Sequence, residues 1–132
     1  MSAPPLWITR PMVEEIHRRQ IRTHGGLAGL RDEGLLESAL ARAPSAWAYG
    51  DRPIVPDLAA LYIDGLVRNH PFIDGNKRVG LVVGATFLLL NGHELVATEP
   101  DAVLTIRAVA AGQMAREELV EWVRGNVVTF SE

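Results

Sequence analysis

Asn69-His70-Pro71-Phe72-Ile73-Asp74-Gly75-Asn76-Lys77-Arg78 runs directly into Val79-Gly80-Leu81-Val82-Val83-Gly84-Ala85-Thr86-Phe87-Leu88-Leu89-Leu90. The second half is apolar nearly all round, and a helix without a polar face belongs at the centre of a fold. Gly80 and Gly84 lie four apart on one side of it. Glycine inside a helix costs about 1 kcal/mol against alanine, so the close approach of another helix is the natural reason for both. The first half is polar, with one imidazole, one carboxylate, one carboxamide and two cations between His70 and Arg78. The first N–H groups of a helix lack internal partners and carry partial positive charge. A polar cluster opening a buried helix is therefore suited to holding an anion such as phosphate, with His70 placed for proton chemistry beside it.

Working outward, Pro56-Asp57 start the preceding helix, whose buried side is Leu58, Leu61, Tyr62, Gly65 and Leu66 and which ends at Pro71. His70 is thus expected at a helix C-terminus with its ring buried. Upstream, Asp32 caps a helix with Leu35, Leu36, Ala39 and Leu40 inward, which Pro44 is expected to end. Residues 44–56, rich in proline and glycine, read as a mobile loop or a short hairpin. The first helix follows a Thr9 cap with Pro11 in its first turn, shows a Val13-Ile16-Gln20-Ile21 stripe, and stops at Gly25-Gly26. Its Arg10, Arg18, Arg19 and Arg22 form either a solvated face or a surface for an acidic partner. Downstream, Asn91-Gly92 stops the central helix. Thr98 caps a fifth helix with apolar Val103, Leu104, Ile106, Val109 and Ala110, and residues 115–128 make a sixth with Leu119, Trp122 and Val123 inward. No segment alternates as a strand does. The expected fold is all-α, a compact bundle of about six helices around one central buried helix, forming a single domain over 1–132.

The totals bound the function. The chain has 132 residues, 48% hydrophobic and 22% charged, as in an ordinary globular protein. A net charge of −3 argues against a polyanion-binding protein as a whole. The absence of cysteine excludes disulfides and thiolate chemistry and suits a reducing compartment. The N-terminus has neither the basic nor the apolar region of a signal peptide. The longest apolar run, about 12 residues, is shorter than the ~20 a bilayer requires. A cytoplasmic protein without membrane contact is expected.

Each motif residue has an ordinary reading. His70 could cap a helix, and Asp74-Gly75-Asn76 could be a turn with an N-cap. His17, His24 and His93 have no ligand spacing with His70, so zinc is not indicated. What the ordinary readings leave unexplained is Lys77-Arg78. Two cations in the first turn oppose the helix dipole, at a cost of about a few tenths of a kcal/mol, and a bound anion reverses the sign. Lys77 is the only lysine in the chain, and Arg68, Lys77 and Arg78 are the only Lys or Arg between Pro53 and Thr98. A base, a carboxylate able to hold Mg²⁺, a tight turn and cations together are what phosphoryl or nucleotidyl transfer needs. Phe72, apolar among polar neighbours, reads as the anchor of the loop.

His70-Pro71-Phe72-Ile73-Asp74-Gly75-Asn76-Lys77-Arg78 closely resembles the motif of the Fic/Doc superfamily, His-x-Phe-x-Asp/Glu-Gly-Asn-Gly-Arg-x-x-Arg, matching at His70, Phe72, Asp74, Gly75, Asn76 and Arg78. Lys77 stands for the glycine and Leu81 for the second arginine. Both departures are those of the death-on-curing (Doc) branch, the toxins of bacterial toxin–antitoxin pairs. Residues 25–29, the helix from Asp32 to Leu40, and Leu90-Asn91-Gly92 also look Doc-like. The resemblance implies His70 as general base for a hydroxyl on a target protein and Asp74 as holder of Mg²⁺ on the nucleotide. It implies Gly75, Asn76, Lys77 and Arg78 as phosphate-binding residues, and 46–56 as a flap along which the target lies. Fic proteins transfer AMP. Here a lysine fills space that glycine leaves for phosphate and an arginine contact is missing, so transfer of the terminal phosphate of ATP is expected, as in the Doc branch acting on elongation factor EF-Tu and so blocking translation. AMP transfer and a non-catalytic corepressor module are the alternatives. The Ser/Thr-x-x-x-Glu-Gly/Asn pattern of an internal inhibitory helix is missing, which suits inhibition by a separate antitoxin whose tail folds on binding. Contact with DNA is expected only through that antitoxin.

Overall fold

Asparagine, glycine, proline and threonine mark out the helices of a computed structural model that describes residues 3–130. Thr9 caps α1 (Arg10–His24), its hydroxyl accepting from Met12 N, and Gly25 at φ 83° ends it. Asp32 caps α2 (Glu33–Tyr49) through Leu35 N at 2.9 Å. α3 (Val55–Asn69) and α4 (Asn76–Leu90) follow, then β1 (His93–Leu95), α5 (Glu99–Ala110), α6 (Arg116–Gly125) and β2 (Val127–Thr129). The architecture is all-α, as expected, with one two-stranded antiparallel ribbon in which Leu95 pairs with Val127 and His93 with Thr129. Three residues are too few for a period of two to be read, which is why the sequence concealed these strands.

α4 shares the centre with α3, which is the more completely buried of the two. α3 packs against α2, α4, α5 and α6; α4 packs against α1, α3, α5 and β1. The small residues let them meet. A Cβ on Gly84 would lie 2.5 Å from Ile63 Cγ1, and one on Gly80 2.7 Å from Val67 Cγ2. On the far side of α3, a Cβ on Gly65 would sit 3.1 Å from that of Ala39 on α2. Gly84→Ala should therefore destabilise. Overpacking a fully buried contact costs about 1–3 kcal/mol and the gain in helix propensity is about 1 kcal/mol. Thermal denaturation should show a drop of a few degrees; a rise would mean that Ile63 relaxes freely.

Two expectations about residues 44–56 are corrected. Pro44 does not end α2, which continues to Tyr49. Proline removes one helical hydrogen bond, but the following turn is held by packing: Trp47 lies edge-on to Trp7, with ring centroids 6.5 Å apart, and Trp7 stacks on Phe87. There is consequently no hairpin. Residues 46–49 close α2, residues 55–56 open α3, and only 50–54 connect them. α5 also differs from its apolar pattern, burying Ala102, Thr105, Ile106 and Val109 while Val103 and Leu104 are exposed.

Three of the four arginines on the basic face of α1 are paired within the fold, and Arg22 meets no carboxylate among the described residues. Arg10 Nη1 donates to Glu33 and Glu37 on α2, at 2.6 and 3.0 Å, and Arg18 and Arg19 share Glu15. Hydrogen bonds from Arg18 and then Arg19 hold the Glu15 carboxyl below its usual range. Of its two readings, the solvated face fits this pairing. Among the described residues no helix is long and apolar enough to cross a membrane.

Candidate active site

The loop between α3 and α4 is built by a change of backbone hand at each end. His70 caps α3 at φ 53°, ψ 53°, its N–H donating to Leu66 O, and Gly75 caps α4 at φ 84°. The left-handed conformation costs a non-glycine residue roughly 1–2 kcal/mol and glycine nothing. The turn of hand at His70 carries its side chain off the packed face of α3. The imidazole is therefore exposed, contrary to the buried ring expected, and no protein group hydrogen-bonds to it among the described residues.

Phe72 lies beneath the loop, 2% exposed. Its ring stacks on that of His17 from α1, with centroids 3.9 Å apart and planes 10° from parallel. His17 Nε2 lies 2.9 Å from Asp74 O. A carbonyl can only accept, so Nε2 carries the proton. Asn76 is also buried, and its carboxamide closes a reciprocal pair with the Phe72 backbone: Phe72 N donates to Oδ1 and Nδ2 donates to Phe72 O, both at 2.9 Å. The side chain expected at phosphate is thus committed to the loop, leaving the Asn76 backbone N–H for an anion.

Asp74 does not cap α4. Gly75 does, and no side chain caps that helix. Asp74 Oδ2 instead accepts from Leu27 N at 2.7 Å, and Oδ1 has no hydrogen-bond partner among the described residues. The segment after α1 follows the motif closely: Ile73 N donates to Gly29 O at 3.1 Å and Arg78 Nη2 to Gly25 O at 3.2 Å. Gly26 and Gly29, at φ 112° and 121°, give this segment its path, and a Cβ on Gly26 would crowd that of Asp74 at 3.2 Å. Lys77 is exposed, and neither Lys77 nor Arg78 meets a carboxylate among the described residues. Arg78 Nε is buried without a partner.

These placements converge. His70, Asp74, Gly75, Asn76, Lys77 and Arg78 line one cleft of about 250 Å³. The start of α4, where no side chain caps the helix, and two cations without a carboxylate partner among the described residues give this cleft the chemistry suited to an anion, with an exposed imidazole and a carboxylate at its edge. A second cleft of about 300 Å³ shares Lys77 and Arg78 and is walled by Leu81, Val103 and Ile106. Among the described residues no three His, Asp or Glu side chains gather to hold a metal. Asp74 alone suits Mg²⁺ carried on a nucleotide, because that ion keeps several waters and takes one or two carboxylates together with phosphate oxygens.

Arg68, counted at the motif from sequence, faces away. It donates to Asp64 Oδ1 at 2.5 Å and to Met114 O. Asp64 is 1% exposed and also meets Arg42 and Arg116, tying the end of α3 to α2 and α6. Sequence reading missed Asp64 and His17. The signal for His17 was its position four residues after Val13 on the apolar stripe.

The sequence matches the Fic/DOC family over residues 7–88. It is 41% identical over 93 residues to Toxin Doc of Mycolicibacterium smegmatis, covering 65% of this chain and 71% of that protein. It is 30% identical over 109 residues to Protein kinase doc of Escherichia phage P1, covering 83% and 86% respectively.

Proposed function

Because the chain belongs to the Fic/DOC family, in its Doc branch, we propose that it is the toxin of a toxin–antitoxin pair that moves the terminal phosphate of ATP to a hydroxyl of a target protein. The observation that carries this is the single cleft joining the exposed His70, Asp74 and the uncapped, cationic start of α4. The names of the relatives, a toxin and a protein kinase, support the same reading.

The steps follow from the chain's own groups. The N–H groups opening α4, with Lys77 and Arg78, bind phosphate oxygens and stabilise the charge that develops on them. His70, reached by solvent and without a hydrogen-bond partner among the described residues, takes the proton of the incoming hydroxyl, whose oxygen bonds to the terminal phosphorus as the bond to ADP breaks. Asp74, oriented by Leu27 N–H, would hold Mg²⁺ on the phosphates, and that ion would neutralise charge there. Lys77 adds a cation where Fic proteins keep glycine, and Leu81 makes an apolar wall where they keep arginine. Both features favour placing the terminal phosphate rather than the α-phosphate beside His70. The target is EF-Tu by resemblance to the branch, and the partner is an antitoxin whose tail folds on binding.

Incubation with a bacterial lysate and ATP labelled at the α or the γ phosphate tests this. Label on protein from γ alone is expected. Label from α means adenylylation, and no transfer from either, without ADP or AMP release, means a binding module.

A further inference from the structure

Arg31 grips three successive carbonyl groups around His70. Its Nε donates to His70 O at 2.8 Å and its Nη2 to Asn69 O at 3.0 Å. Its backbone N–H donates to Pro71 O at 2.7 Å. The last carbonyls of a helix have no donor within it, so these oxygens are open to an outside partner.

The two side-chain bonds have a geometric consequence. The Asn69 carbonyl lies in the peptide plane that sets φ of His70, and the His70 carbonyl lies in the plane that sets its ψ. A planar guanidinium holding both planes fixes both dihedrals, and with them the direction in which the His70 Cα–Cβ bond leaves the backbone. His70 needs such a hold, because its left-handed conformation is one that side-chain-bearing residues seldom adopt. The support continues behind it: Asn69 Oδ1 accepts from Arg42 and Asn69 Nδ2 donates to Leu35 O, at 3.0 and 2.9 Å. Arg31 meets no carboxylate among the described residues; its hydrogen bonds all go to carbonyls.

We infer that Arg31 is a positioning residue that fixes the backbone conformation of His70 and so the direction in which its side chain leaves the chain, an assignment that rests on the reading of His70 as the base. Wild type, Arg31→Lys and Arg31→Ala should be compared by phosphate-transfer kinetics and by the His70 Cα chemical shift, which reports its backbone conformation. In Arg31→Ala, kcat should fall about 10- to 100-fold, the size of effect a misplaced reacting group produces, with KM for ATP within about twofold. Arg31→Lys should be intermediate, because an ammonium lacks the planar fork, and it carries the comparison if the alanine variant fails to fold. The His70 shift should move in both variants. An unmoved shift, an unchanged kcat, or a loss appearing in KM instead overturns the assignment. If the wild-type protein transfers no phosphate, the proposed function falls on its own, and the His70 shift still decides whether Arg31 sets that residue's conformation.

Discussion

His70→Ala should reduce phosphate transfer by about 10²–10⁴-fold, the range that a positioned acid or base contributes. Nucleotide affinity should change by less than about twofold, because the proposed anion site consists of the start of α4, Lys77 and Arg78, and none of these depends on the imidazole. Stability should also hold. The ring is exposed and makes no hydrogen bond among the described residues, so its removal opens no cavity. Alanine remains under the same left-handed constraint as histidine. His70→Asn is the informative companion, since asparagine tolerates that conformation better. It should be at least as stable as wild type and equally inactive. Arrest of growth in cells lacking the antitoxin should disappear with both variants. An active alanine variant would remove His70 from the chemistry.

The fold was legible where one residue has one physical consequence. Thr9, Asp32 and Thr98 could be read as caps because a hydroxyl or carboxylate before an apolar period has little else to do. Gly80 and Gly84 could be read as a helix contact because nothing else justifies their cost. Reading failed where tertiary packing outweighs a local rule. Pro44 is overridden by Trp47 packing on Trp7, and His70 is turned outward by a backbone conformation that no residue type announces.

The site divides in the same way. Sequence motifs identify the residues around a reaction without saying which atoms face it. Asp74 was a candidate cap and a candidate metal ligand, and it could not be both; the placement of Gly75 at the cap position releases it. Arg68 sits two residues from His70 in sequence, yet its guanidinium is spent on Asp64, on the side away from the cleft. Chain proximity was the whole signal, and the left-handed turn at His70, just past the end of α3, separates the two side chains.

Asn76→Ala should be the most damaging single change in the loop, and for a reason the motif does not advertise. A phosphate ligand lost from an exposed site lowers nucleotide affinity and leaves stability alone. Asn76 is instead 3% exposed, and its carboxamide satisfies both the N–H and the C=O of buried Phe72. Each buried backbone group left without a partner costs about 1–3 kcal/mol, so with two such groups the alanine variant should lose about 2–6 kcal/mol in denaturant unfolding. Asn76→Asp should fare no better, since a carboxylate accepts from Phe72 N but faces Phe72 O with a second acceptor. Activity should fall together with stability. The pair holds the two ends of the 72–76 turn, and Asp74 and Gly75 sit within it. Denaturant midpoint and nucleotide affinity measured on the same samples separate the two accounts. A stable variant with weakened ATP binding would return Asn76 to the phosphate. A destabilised variant whose folded fraction still binds ATP would establish that the carboxamide shapes the site from below while the backbone of α4 meets the anion.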